Sequence, residues 1–214
     1  MGRQSVELNH AATAARRSGQ RRPSKRSEKK HDIALHALAA LAEIGFARIN
    51  LREIAARSGV ALGVIHYYFE DKNELMIHCV GLYNDAFVVR CDETIATADS
   101  VTTLQAQYIG ELVMALENHA HAHRLWYDVR AQALFDETFR PVVDDFELRM
   151  VGNIHHFFDR LVALGGKPEI TGRIDALKSY LAVDSWFRYC LQQKMSGDAQ
   201  ATTLLRQRFE VILC

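Results

Sequence analysis

The sequence predicts an all-α protein, on three observations. Apolar residues recur at i, i+3 and i+4 through most of the chain, no stretch alternates in the manner of a strand, and only three prolines interrupt 214 residues. Glycine, proline and capping residues fall between the periodic segments, where helices stop and start. The first helix, about Ser27–Ile44, carries Ile33, Leu35, Ala37, Leu38 and Leu41 and stops at Gly45.

Residues 50–75 carry the most information. Asn50 can cap a helix by accepting from an orphan N–H, and Glu53 completes a capping-box pattern. Leu51, Ile54 and Ala55 form a short apolar stripe, ended by Gly59 at the position where positive φ is free to glycine. Val60 is placed to fill the gap between two short helices. The second of these, roughly Ala61–Tyr68, buries Ile65 and Phe69 and leaves Leu62, Gly63, Val64, His66 and Tyr67 on other faces. Asp71 caps a third helix with Glu74 as its capping-box partner. Lys72 stands in that first turn, where a positive charge opposes the helix dipole unless it faces a phosphate. Helix, glycine turn, helix is the pattern that sets a recognition helix in the major groove of double-stranded DNA. On spacing alone, a helical hairpin with no DNA role satisfies the same residues.

The combination Ile54-Ala55, Ser58-Gly59-Val60, Gly63, Tyr68-Phe69, Lys72 and Leu75 is more specific than the spacing. Preceded by Ala39-Ala40-Leu41 and Gly45-Phe46, it resembles the DNA-binding domain of the TetR family of one-component transcriptional regulators over about residues 30–78. Asn50 stands where that family usually has Thr, Ala61 where Ser is usual, and His66 where Tyr is usual; Leu62 is less polar than most residues at its base-facing position. The resemblance implies DNA contacts from Asn50, Arg52, Ala61, Leu62, Gly63, Val64, His66, Tyr67 and Lys72, with Arg52 able to reach a base edge.

The remaining elements follow in order. A helix from Asp71 to the mid-nineties holds Met76, Cys79, Val80, Tyr83 and Phe87. A segment from about Val101 to Asn118 places Leu104, Tyr108, Leu112 and Leu116 in one row, and another, about His121–Phe135, carries Leu125, Trp126, Val129, Ala133 and Leu134. The stretch Thr138–Leu164 holds Val143, Phe146, Met150, Ile154, Phe157 and Leu161 before Gly165-Gly166 and Pro168. Thr171–Gln193 follows with Ile174, Leu177, Leu181, Trp186 and Leu191, and a last helix spans roughly Asp198–Leu213. Val151, His155, Phe158 and Val162 form a second stripe beside the first on the longest of these. An apolar arc that wide needs cover on two sides. Either the chain's own helices supply it or a second copy does; the resemblance implies a homodimer through about residues 138–194.

Composition fits this organisation: 49% hydrophobic content supports a substantial core. No apolar run reaches the ~18 residues of a membrane span, and no signal-peptide core opens the chain, so the expectation is a cytoplasmic protein with no membrane association. Cys79, Cys91, Cys190 and Cys214 show no metal-like spacing. The formal net charge of zero conceals nine Lys/Arg against Glu7 and Glu28 in residues 1–30. Residues 1–25 therefore read as a basic arm, either an aid to DNA binding by phosphate contact or a solvated tail.

No arrangement of nucleophile, base and acid points to catalysis, and no cofactor motif is present. His119, His121 and His123 look metal-like, but no nearby Cys or acid completes a site, so no metal is expected. Tyr83, Phe87, Tyr108, Trp126, Tyr127 and Phe135 can line a cavity for a small organic effector, with Arg130, Asp128 or His123 as polar handles. Residues of this kind are more often plain core, and Trp126 best matches the effector region implied by the resemblance. The sequence thus predicts residues 26–75 as a helix-turn-helix DNA-binding head and 76–214 as a larger helical ligand-binding and dimerisation domain. Its expected function is an operator-binding regulator, most simply a repressor released from a pseudo-palindromic operator by its effector. The alternative is a helical ligand-binding protein or enzyme with a vestigial head.

Overall fold

The computed structural model describes residues 25–44, 50–167 and 173–213. The predicted basic arm falls outside the described residues up to position 24, as do Gly45, Phe46 and Pro168. The described chain is helical: α1 (Lys25–Ile44), α2 (Leu51–Arg57), α3 (Leu62–Tyr68), α4 (Lys72–Thr97), α5 (Val101–Gln132), α6 (Arg140–Ala163), α7 (Arg173–Met195) and α8 (Ala201–Leu213), with a short 3-10 turn, Glu137–Phe139, ahead of α6. No strand occurs among the described residues. No helix there is long and apolar enough to cross a membrane.

Two compact units divide the chain. The first joins the described residues up to Ala86 with His121–Val143. Its core takes Ile33, Ala37 and Leu41 from α1, Ile54 and Ala55 from α2, Ile65 and Phe69 from α3 and its end, and Leu75 and Met76 from α4. These positions follow the helical repeat, so each helix hides one stripe against the others. The Cys79 thiol donates to the Ala34 carbonyl at 3.3 Å, tying α4 to α1. Trp126, Val129 and Phe139 are buried in the same unit.

The second unit comprises Phe87–Ala120 and the chain from Asp144 onward. Leu104, Tyr108, Leu112 and Leu116 are all buried on α5, in the predicted i, i+4 row. The Tyr108 hydroxyl donates to Asn153 Oδ1 at 2.5 Å, and Asn153 Nδ2 donates to Asp92 Oδ1 at 2.6 Å. This chain satisfies polar groups that burial would otherwise penalise, and burial pushes the Tyr108 phenol well up from its ordinary value. Helix α7 packs along α8, which buries Leu205, Phe209 and Leu213.

The segments predicted at about Val101–Asn118 and His121–Phe135 are two helices that run together as α5 across a kink at His119, where φ −126° and ψ 22° leave the helical region. The expected break therefore stands, marked in the sequence by a polar gap and by no proline or glycine. Two other expectations are corrected. The run ends at Gln132, and Leu134 and Phe135 stand exposed in the turn that follows, so Phe135 lines no cavity. Asp136 redirects the chain there by accepting from the Thr138 N–H at 2.9 Å and from the Thr138 hydroxyl. On α7 the buried face is Ala176, Tyr180, Val183, Phe187 and Cys190, while Leu177 and Leu181 remain 45% and 47% exposed. That helix has two apolar arcs, and periodicity does not say which arc its own chain covers.

Candidate nucleic-acid interface

The interface begins with how Asn50 and Gly59 bracket a seven-residue helix. Asn50 holds extended backbone, φ −134° and ψ 163°, and its side chain accepts from the Glu53 N–H at 2.9 Å. Arg57 Nε reaches back to Glu53 Oε1 at 3.0 Å, an i, i+4 pair on the exposed side. At the other end Val60 N–H bonds the Ala55 carbonyl at 3.1 Å and Gly59 N–H the Ala56 carbonyl at 3.3 Å. These two bonds form the reverse-turn closure that requires a left-handed residue, and Gly59 supplies it with φ +64°.

Helix α3 follows at once. Ile65 and Phe69 are fully buried, Leu62, Val64 and Tyr68 are half-buried, and Gly63, His66 and Tyr67 are exposed, Tyr67 to 63%. Ala61 is the N-cap residue in extended backbone and makes no side-chain cap bond. Serine at that position restores an acceptor for the free N–H groups. Ala61→Ser is expected to stabilise the protein by about 1 kcal/mol, read as a rise of roughly 2–4 °C in thermal midpoint.

The junction of α3 with α4 is tightly held. Glu74 N–H donates to Asp71 Oδ1 at 2.8 Å, Glu70 N–H to Glu74 Oε2 at 2.7 Å, and Lys30 of α1 to Glu74 Oε1 at 2.8 Å. The Lys30 bond first, then that from Glu70, holds the Glu74 carboxyl below its usual range. The Lys30 ammonium also lies 4.7 Å from the Phe69 ring centroid, and the His78 ring packs on the same phenyl at 5.7 Å. Burial, followed by the charges of Lys30 and His31, lowers His78. Lys72 is half-buried at the start of α4, and desolvation lowers its amine.

All nine predicted DNA-facing residues fall in this compact head, from Asn50 at the cap of α2 to Lys72 at the start of α4. Arg52 is exposed on α2. The structure adds Arg26, whose guanidinium lies 5.2 Å from the Tyr67 ring centroid. It sat unremarked in the basic run, because no spacing rule joins α1 to the exposed side of α3.

The predicted effector residues divide. Tyr83, Trp126, Tyr127 and Arg130 belong to the first unit, Phe87 and Tyr108 to the second. Tyr83 meets His123 edge-on at 5.1 Å, and both are buried; Trp126 is buried, with Tyr127 and Arg130 half-buried on the same helix. Burial raises the Asp128 carboxyl above its ordinary value. In the second unit Phe87 packs on Phe146 at 6.5 Å, and Tyr108 is engaged by Asn153. That unit also has an open groove of about 770 Å³, lined by Arg90, Glu93, Glu111, Glu117, Met114 and Arg206 among others; none of the six predicted residues lines it. His121 is exposed while His123 is buried, and among the described residues no group of three or more His, Cys, Asp or Glu is placed to hold a metal ion.

Residues 34–79 match the family described as bacterial regulatory proteins, tetR family. The HTH-type transcriptional regulator BetI of Serratia proteamaculans is 27% identical over 172 residues, covering 78% of this chain and 83% of BetI. Among solved structures, a TetR transcription regulator from Haloarcula marismortui superposes with a TM-score of 0.73 at 17% identity, over 87% of this chain and 97% of that one. The fatty acid degradation regulator FadR from Bacillus halodurans gives 0.70 at 17% identity, over 90% and 97%. FadR from Bacillus subtilis, solved in complex with stearoyl-CoA, gives 0.67 at 19% identity, over 86% and 97%.

Proposed function

We propose that this chain, whose residues 34–79 match the tetR family of bacterial regulatory proteins, is a sequence-specific DNA-binding transcriptional regulator of that family, a repressor released from a pseudo-palindromic operator by a small organic ligand. One observation carries this reading: a capped α2, a left-handed Gly59 and a short α3 with Gly63, His66 and Tyr67 exposed stand beside Lys72 on a locked α3–α4 junction. A helix held so by buried Ile65 and Phe69 can enter a major groove as a rigid body. Reading DNA in this way puts its action in the cytoplasm.

Arg52 tests the reading head. As a base contact it discriminates by about 1–3 kcal/mol, so Arg52→Ala is expected to weaken the cognate duplex roughly tenfold or more while leaving scrambled DNA little changed. Lys72→Ala, a phosphate contact, is expected to weaken both alike and to reduce the salt slope by about one unit. Equal losses on both duplexes for Arg52→Ala would remove it from base reading.

A homodimer through residues 138–194 is supported by the exposed apolar side chains Leu148, Val162, Leu177, Leu181 and Tyr189 on α6 and α7. Exposed apolar side chains that gather into a patch mark an interaction surface, and a two-fold pair of heads suits a pseudo-palindrome. The double variant Leu177→Asp/Leu181→Asp is expected to sediment as a folded monomer with operator affinity reduced at least about a hundredfold. An unchanged dimer would move the interface elsewhere.

The effector is proposed to bind in the first unit near Tyr83, Trp126, Tyr127 and Arg130. BetI is named a transcriptional regulator and the Bacillus subtilis FadR fold holds stearoyl-CoA, so a fold of this kind accommodates a small organic molecule. Release requires the effector to bind the operator-incompatible conformation more tightly than the competent one. Titrating metabolites and hydrophobic compounds into a preformed protein–operator complex tests this; complete insensitivity would leave a regulator under some other control.

A further inference from the structure

The first unit buries a polar side chain on α4, Asn84. It is 2% exposed, and neither its Nδ2 nor its Oδ1 has a hydrogen-bond partner among the described residues. One helical turn to either side, on the same face of α4, stand Val80 and Val88, both buried and both unable to bond it. A buried carboxamide with donor and acceptor unmet lowers stability, and an aliphatic side chain in its place would not. Folding alone therefore gives no reason for asparagine here. The preceding residue, Tyr83, meets the buried His123 edge-on at 5.1 Å, so buried polar side chains from α4 and α5 gather in this unit, which also holds Trp126. A few polar groups in an apolar interior are the composition of a small-molecule site.

We propose that Asn84 is the hydrogen-bonding anchor of the effector site, and that it takes a neutral ligand presenting an N–H and a C=O side by side, the edge of a lactam or cyclic imide. A primary carboxamide offers one acceptor and adjacent donors in a plane, and such an edge satisfies both at once. A carboxylate or phosphate accepts from Nδ2 but sets negative charge against Oδ1 and leaves it unmet. The proposal rests on the reading of the chain as a ligand-controlled regulator and specifies the ligand's polar end.

The test uses the purified full chain with two matched probes, hydrocarbostyril, a benzo-fused lactam, and its N-methyl derivative, which lacks only the donor. Hydrocarbostyril at millimolar concentration is expected to raise the wild-type thermal midpoint by about 2 °C or more and the N-methyl compound to do nothing. Asn84→Leu is expected to raise the ligand-free midpoint by roughly 4 °C, because an unmet polar group is removed, and to abolish the lactam shift. Asn84→Ala, which adds no bulk, is expected to lose the shift as well. A fall in midpoint for Asn84→Leu would show the carboxamide satisfied within the fold and overturn the proposal. So would equal shifts from the two probes, no shift from either, or a lactam shift that survives in Asn84→Ala. An unrelated compound that releases the operator equally from wild type and Asn84→Leu would likewise overturn the anchor while leaving ligand control standing; a lactam shift through Asn84 with no compound releasing the operator would uphold the anchor and overturn ligand control.

Discussion

Truncating Trp126 to alanine is expected to cost about 3–5 kcal/mol of stability, lowering the thermal midpoint by roughly 10 °C or more. The indole is among the largest side chains in the protein with almost no exposure, and it shares the first unit with buried Leu125 and Val129. Removing it leaves a cavity that close-packed neighbours fill only in part. A second tryptophan, Trp186, lies half-buried beneath the Arg208 guanidinium at 4.7 Å in the other unit. In a Trp186→Phe background, fluorescence reports on Trp126 alone, so an effector bound beside it is expected to change its emission. A stability loss below about 1 kcal/mol for Trp126→Ala would show that the ring is not packing the core. Unchanged emission during operator release would separate Trp126 from the effector.

Phe69→Ala is expected to be comparably severe, at about 3–5 kcal/mol, and to act on the head. Phe69 ends α3 in extended backbone, is fully buried, and receives Lys30 and His78 against its ring. Without it α3 loses one of its two buried anchors, and the junction secured by Glu74 loses its apolar floor. Denaturant unfolding followed by circular dichroism measures the loss. Operator binding is expected to disappear at temperatures where most helical signal remains, since the longer helices α4 to α7 do not depend on that ring for their own hydrogen bonds. Retained operator affinity would contradict the rigid-head account.

How much of this was legible in the sequence depends on how local the physics is. The Asn50 cap, the Gly59 turn and the Asp71 cap are settled within a few residues, and the structure shows each bond that the spacing predicted or its close equivalent. Glu74 departs slightly: it accepts from Glu70 N–H and takes a salt bridge from Lys30, a partner 44 residues away. That pairing exists only after α1 and α4 have packed. Arg26 beside Tyr67 and Asn153 beneath Tyr108 are of the same kind, and no periodicity reports them. The kink at His119 falls in the gap that the polar His119-Ala-His121-Ala-His123 stretch marks between two helices. Leu177 and Leu181 belong to the apolar spacing of their helix, which marks a face to be covered without naming the cover. Asn84 gave no signal at all, since one polar residue in a long helix looks like its solvent side until burial is known.

The central claim, that this head reads DNA sequence, is tested most directly by selecting duplexes from a random pool with the full chain at physiological salt. The account predicts enrichment of a two-fold-symmetric motif whose half-sites lie about one helical turn apart, with affinity that falls steeply as salt rises. Binding that enriches no sequence over the starting pool, or none at all, would contradict it.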